Sequence, residues 1–202
     1  MTFSVTYCIQ EKHYGVIDEN KKTIIPFEYK EINIQSNGIV VKDDDDNIGC
    51  YTLNGVPIFL PSSQPSQPKI NDVIFLKDQR LILRITETED RTKKECEKLV
   101  LMNFSCNTLI PFMFDSILIF TGSNYHTIEI SSKFAPSEEI LDSNAYIENK
   151  VCIKACMNEE SCWGVFNLTT KKIIHPFKYS EAKQSIGSHI VLTDNNGEKV
   201  KL

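Results

Sequence analysis

The run "DDDDNIG", Asp43 to Gly49, gathers four carboxylates in four residues. Oxygen ligands at that density suit a hard cation. An EF-hand loop, however, needs glycine at its sixth position and a bidentate glutamate at its twelfth, and counting from Asp43 those positions hold Ile48 and Asn54. The motif fails, and the run reads as a solvated turn between two strands. Its unneutralised charge makes Asp43, Asp44, Asp45 and Asp46 the candidate landing place for a basic partner surface.

The other reactive residues are scattered. Cys152, Cys156, Cys162 and His175 are the sharpest soft-metal candidates. "KVCIKAC" reads as a strand with Val151, Ile153 and Ala155 on one face, which puts Cys152 and Cys156 on the other, ~13 Å apart at the usual strand rise and too far to share zinc or a disulfide. The seven cysteines follow no framework spacing and read as small core or idle thiols of a reducing compartment. His13, His126, His175 and His189 accompany no nucleophile elbow or Cys-His signature, and no P-loop, dinucleotide fingerprint or zinc-protease pattern occurs. The carboxylate pairs Glu138/Glu139 and Glu159/Glu160 are neighbours whose separation across a cleft sequence cannot give. No catalytic residue, metal or cofactor is assigned.

What must position the acidic run is a repeat. "YGVIDENKKTIIPFEYKEI" (14–32) returns as "WGVFNLTTKKIIHPFKYSEA" (163–182), and weaker copies start at "GCYTLNGVPIFLP" (49–61) and "LVLMNFSCNTLIP" (99–111). Each copy has the grammar of a hairpin: an apolar β-branched strand, a polar turn, and a second apolar strand closed by proline. Proline cannot donate to a ladder, so Pro26, Pro61, Pro111 and Pro176 are expected to stop the pairing. After them Phe27 and Tyr29, Phe112 and Phe114, and Phe177 and Tyr179 alternate at period two, which predicts paired rings on one side of an extended segment. A return strand follows each: 37–42, 73–77 with 80–85, 127–130 and 188–193. The hairpin and its return strand are expected to form one small antiparallel sheet that hides its apolar face by stacking on the next.

These motifs resemble the WG-repeat family, also called KWG repeats. The signature aromatic falls on Tyr14 and Trp163, the glycine on Gly15, Gly49 and Gly164, the proline on Pro26, Pro61, Pro111 and Pro176, and the tyrosine on Tyr29 and Tyr179. In the middle copies Ile48 and Lys98 stand at the aromatic position and Leu99 at the glycine. The resemblance implies a β-repeat scaffold in which these residues are structural, and no assigned chemistry. Independently of family, a residue without Cβ beside a large ring lets that ring lie across the backbone.

The expected fold is therefore all-β: tandem antiparallel hairpins stacked into one solenoid- or barrel-like domain, in units of roughly 1–47, 48–90, 91–133 and 134–202. "PSSQPSQPKIND" (61–72) reads as a surface loop, and 86–98 as a charged hairpin tip. Ser137 before Glu138, Glu139, Ile140 and Leu141 suits the cap of one short helical turn.

The 202 residues carry a formal net charge of −5, which argues against a phosphate-binding surface. No apolar run approaches the ~20 residues a membrane helix needs, and the start has no signal-peptide pattern. The expectation is a cytoplasmic, monomeric binder of another, basic protein, without nucleic acid or membrane; an immunity-type inhibitor of a toxin nuclease is one concrete form. The alternatives are a small-ligand or enzymatic pocket between repeats, and a self-assembling structural repeat.

Overall fold

The computed structural model describes residues 3–64, 67–88, 95–121, 126–133, 144–157, 160–185 and 189–202. Among them the structure is strand and turn, with no helix. The expected helical turn at Ser137 and the tip at 89–94 lie outside the described residues.

The first sheet holds β1 (Phe3–Cys8), β2 (His13–Asp18) and β3 (Thr23–Tyr29); the second holds β4 (Glu31–Gln35), β5 (Gly38–Lys42), β6 (Ile48–Tyr51) and β7 (Pro57–Phe59). The third comprises β8 (Lys69–Leu76), β9 (Arg80–Thr88) and β10 (Glu95–Asn103), extended by bridges from Met102 to Thr108 and from Leu99 to Phe114. The remaining strands form one seven-stranded sheet: β11 (Ser116–Phe120), β12 (Thr127–Ser131), β13 (Lys150–Met157), β14 (Glu160–Asn167), β15 (Lys172–Gln184), β16 (Ile190–Asp194) and β17 (Lys199–Lys201), in the order β12-β11-β13-β14-β15-β16-β17. All pairings are antiparallel.

This grouping corrects the expected unit. The return strand Gly38–Lys42 pairs with the hairpin that follows it, not with the one before. The chain bends at Lys30, between β3 and β4, so pairing restarts there. A complete sheet is thus a leading strand, an entry strand and the two arms of the repeat hairpin, as in β4-β5-β6-β7. The seven-stranded sheet contains one such unit (β11, β13, β14 and the first half of β15, with β12 added at the edge) and the start of another (the second half of β15, then β16 and β17).

Neighbouring units pack face to face. Val16, Ile25 and Tyr29 of the first sheet meet Ile39, Val41 and Tyr51 of the second. Val40, Cys50 and Ile58, on the opposite face of that second sheet, meet Val73, Phe75, Leu81 and Leu83 of the third. The third turns Ile74, Leu76 and Ile82 toward Ile117, Ile153 and Phe166. Leu118, Cys152, Trp163 and Tyr179 then meet Ile190 and Leu192. Alternate residues of an interior strand therefore serve different cores, which is why β5 and β11 are buried at nearly every position.

The prolines divide: β7 ends at Phe59, ahead of Pro61 as expected, but Pro26 and Pro176 do not end their strands. β3 and β15 run through Pro26 and Pro176, and pairing resumes beyond them: Val16 faces Ile25 and Tyr14 faces Tyr29, while Val165 faces His175 and Trp163 faces Tyr179. Gly15 and Gly164 thus oppose three-residue bulges, Pro26-Phe27-Glu28 and Pro176-Phe177-Lys178. The bulge also separates the paired aromatics. Tyr29 and Tyr179 enter the core toward the next unit, whereas Phe27 and Phe177 fold across the glycines on the other face: a Cβ at Gly15 would lie 2.8 Å from Phe27 Cγ, and one at Gly164 2.9 Å from Phe177.

The same registers re-align the middle copies. Cys50 faces Phe59 as Val16 faces Ile25, so Pro61 occupies the place of Phe27, its Cδ 2.5 Å from where a Gly49 Cβ would be. Leu99 bridges Phe114 as Tyr14 pairs with Tyr29. Leu99 therefore stands at the aromatic position and Val100 at the glycine, one residue later than the sequence alignment placed them.

Gly15→Val and Gly164→Val are expected to destabilise the fold by about 1–3 kcal/mol through overpacking against the phenylalanine and the bulge, with Val100→Gly showing no such clash; urea unfolding measures both.

Candidate functional site: the acidic turn

Five hairpins share one turn geometry, at 18–22, 43–47, 52–56, 103–107 and 194–198. In each, the N–H of the first residue bonds the carbonyl of the fifth, and the N–H of the fourth bonds the carbonyl of the first, at 2.9–3.1 Å. The fourth residue has positive φ in every case: Lys21 63°, Asp46 62°, Gly55 77°, Cys106 58° and Gly197 82°. The first residue's side chain accepts backbone N–H groups inside the turn, as Asp18, Asp43, Asn103 and Asp194 do through Oδ1 and Thr52 through Oγ1. Asn and Asp suit both tasks, because a short side-chain oxygen reaches the local backbone and these residues tolerate the left-handed region better than most.

That geometry sorts the four aspartates between β5 and β6. Asp43 is the turn's acceptor, taking the N–H of Asp45 at 3.0 Å and of Asn47 at 2.8 Å, and the Asn47 side-chain amide at 2.9 Å. Asp46 is the left-handed residue, and its carboxylate meets Lys30 Nζ at 2.7 Å. Asp44 lies 3.1 Å from His13 Nε2. Asp45 is exposed and has no ion-pair partner among the described residues. Close by, Lys42 pairs with Glu31 at 2.7 Å. Five carboxylates therefore share two lysines and one histidine. The sequence reading found the run but missed Lys30 and His13, which belong to the first sheet and the bend after it. It also missed the division of labour, although the spacing of Asp18, Asp43, Asn103 and Asp194 before their hairpin arms carried that signal.

Charge and hydrogen bonding set the protonation of the site. His13 is raised above its ordinary 6.5, first by the Glu11 carbonyl 2.6 Å from Nδ1 and then by Asp44. Asp46 is held below its ordinary 3.8 by the hydrogen bond and charge of Lys30, which is raised in turn.

Of the repeat-signature aromatics, Tyr14 is exposed. Tyr29, Trp163 and Tyr179 are buried, and Tyr29 and Tyr51 join their hydroxyls at 2.5 Å between the first two sheets. Burial pushes both phenols up, Tyr29 with further help from the Tyr51 hydrogen bond. Pro111 lies in a bend after β10. All seven cysteines are free, and burial pushes the Cys152 thiol up to about 12.

Two of the clefts among the described residues lie between units. One of about 460 Å³ is lined by Ile48, Phe59, Ile70, Leu83 and Met102 among others. The other, about 570 Å³, holds Lys98, Asp115, Lys154 and Ser161. There Asp115 takes Lys98 on one oxygen and the Ser161 hydroxyl on the other, both at 2.5 Å. Burial alone would lower Lys98, but the Asp115 hydrogen bond and charge prevail and raise it. The lysine stays a cation, and the serine faces a carboxylate already neutralised. No histidine lines either cleft.

Residues 14–44, from the Tyr14-Gly15 pair to the acidic turn, match the family model of the WG containing repeat. The WG-repeat resemblance holds at the first unit. No curated protein matches the chain. Among solved structures, a crystal structure of the tricorn protease is similar over 98% of this chain and 28% of that one, at 10% identity and a TM-score of 0.36. The chain thus spans little more than a quarter of that protein, and a likeness at this level carries no conclusion. The WG match itself points to a β-repeat module.

Two outcomes are expected. Asp43→Ala loses the turn's acceptor and should cost about 1–2 kcal/mol, whereas exposed Asp45→Ala should stay within about 0.5 kcal/mol; urea unfolding separates them. His13 binds its proton more tightly folded than unfolded, so its contribution to stability is full below pH 6.5 and is lost as pH rises through its raised pKa. A histidine titration followed by NMR should place His13 above 6.5, and Asp44→Asn should bring it down while leaving the part set by the Glu11 carbonyl.

Proposed function

We propose that this chain is a non-catalytic protein-binding module in which the WG-type β-repeat scaffold presents Asp44 and Asp45 to a basic surface on a partner protein. The observation that carries this reading is the locked turn beneath them. Asp43 and Asp46 are tied to the backbone and to Lys30, so the two outward carboxylates sit on a base already ordered before binding. Charge placed this way steers encounter and selects partners more than it adds affinity.

The concrete form favoured by the acidic balance is an inhibitor that occludes a basic enzyme, an immunity-type protein against a nuclease being one instance. His13 and Lys30 fit such a role, because a partner's arginine competes for the same carboxylates and a bidentate arginine is the stronger ligand.

The experiment is capture from lysate of the source cells with the purified chain as bait, eluted in a salt series and read by mass spectrometry, followed by titration of the captured protein. A single stoichiometric partner with a basic surface is expected. Asp44→Asn with Asp45→Asn should weaken it by roughly two- to thirtyfold, in line with partly screened ion pairs, and flatten its salt dependence. An affinity and salt slope unchanged in that double variant would remove the acidic turn from the interface.

A further inference from the structure

Among the described residues the first sheet is one strand shorter than the unit that follows it. In the second, third and fourth units a leading strand, β4, β8 or β11, pairs antiparallel with the entry strand, β5, β9 or β13. β15 does the same for β16. The entry strand of the first sheet is β1, and among the described residues nothing pairs with its outer edge.

The side chains register the absence. Val5 faces Val16 as Val40 faces Cys50, Ile82 faces Leu101 and Cys152 faces Val165. At this shared position Val40, Ile82 and Cys152 are 9%, 0% and 1% exposed, and Val5 is 42% exposed. Beside it Tyr7 is 48% exposed and meets the ring of Tyr14 at a tilt, centroids 5.0 Å apart; Tyr14 is itself 38% exposed, whereas its counterpart Trp163 is 4% exposed. In the second unit Asn33 lies opposite Val40, and in the third Ile74 lies opposite Ile82. In the fourth, the pairs Ser116–Lys154 and Ile117–Ile153 carry Leu118 to the side of Cys152.

Other open edges carry devices that discourage pairing. β3 has the Pro26 bulge, and β7 starts at Pro57 with a register shift. β8 has Lys69, Asp72 and a register shift between Ile70 and Asp72. β4 has Glu31, β12 has Glu129, and β17 has Lys199 and Lys201. β1, "FSVTYC", has no charge and no proline, and its six residues keep one unbroken register with β2.

We propose that the outer edge of β1 accepts an extended strand from another polypeptide, running antiparallel and apolar at alternate positions, with an aliphatic side chain beside Val5 as Ile74 and Leu118 stand beside Ile82 and Cys152. Main-chain hydrogen bonds hold such a strand, and the side-chain alternation selects it. The surface differs from the acidic turn in chemistry: β1 is uncharged, so binding here is insensitive to salt, and either site can fail without the other.

The fourth unit's own leading strand supplies the probe: a synthetic peptide of residues 114–121, FDSILIFT, with a short uncharged solubilising tail. Added to the full chain, it is expected to shift the amide resonances of Phe3–Cys8 saturably, slow their hydrogen exchange, and bind equally at low and high salt. A peptide of the same composition with its Ile-Leu-Ile-Phe run dispersed among Asp, Ser and Thr should not bind. Val5→Lys, which guards the edge as lysines guard β17, should weaken binding by about tenfold or more while leaving the fold unchanged by circular dichroism. Shifts that fall elsewhere, or none, would overturn the proposal. So would a dimer in sedimentation that Val5→Lys dissolves, since the occupant would then be a second copy of the chain.

Discussion

A small sheet with apolar side chains on both faces cannot stand in water by itself, and this one constraint organises the molecule. Val40 and Val41 are neighbours in β5, yet they enter different cores, one shared with the sheet before and one with the sheet after. Each burial needs a neighbour, so the chain must repeat. The repeat must also keep its register, because a slip of one residue would turn the whole set to the wrong side. The glycine and its bulge are one way that register is fixed: where Phe27 or Phe177 crosses the backbone, only one alignment of the hairpin arms leaves room for the ring.

The polar parts follow from the same constraint. Strand reversals must return the chain at an angle that lets stacking continue, and at five of them a common turn with an Asx or Thr acceptor and a left-handed fourth residue provides it. Seen this way, a run of four aspartates is less peculiar. Two of its members do what Asp18, Asp194 and Gly197 do elsewhere, which leaves Asp44 to His13 and Asp45 without an ion-pair partner among the described residues. The electrostatic feature that separates this turn from its siblings is the surplus of carboxylates over the lysines and histidine within reach.

Much of the fold was legible in the sequence because hydrophobic alternation and turn residues are local signals. The all-β class, the hairpins and the strand from Val151 to Ala155 with its buried face all follow from them. What was not legible depended on pairing between distant residues. Pro61 looked like Pro26 because both follow an apolar run, but only the ladder shows that it replaces Phe27. Leu99 took the glycine's place on paper because an aromatic was expected before it, whereas the bridge to Phe114 makes Leu99 the counterpart of Tyr14. The return strands were found, but that Gly38–Lys42 joins the following hairpin while Thr127–Ser131 sits at the sheet edge on β11 is decided by long-range pairing. At the acidic turn the carboxylates were visible and their partners were not, since His13 is 31 residues from Asp44 and nothing local announces the contact.

The thirteen-residue strand β15 ends the array differently from the way it begins. Between the first two sheets the chain breaks at Lys30, but between the last two units it continues, and Tyr179 is paired on both sides, with Trp163 and with Asp194. The two ends therefore differ mechanically. The first sheet is held to its neighbour by a shared core and the Tyr29–Tyr51 hydroxyls across a break in the strand at Lys30. The last is spliced to its neighbour through a continuous ladder, so tension applied at the C-terminus is carried as shear along β15 into the middle of the stack.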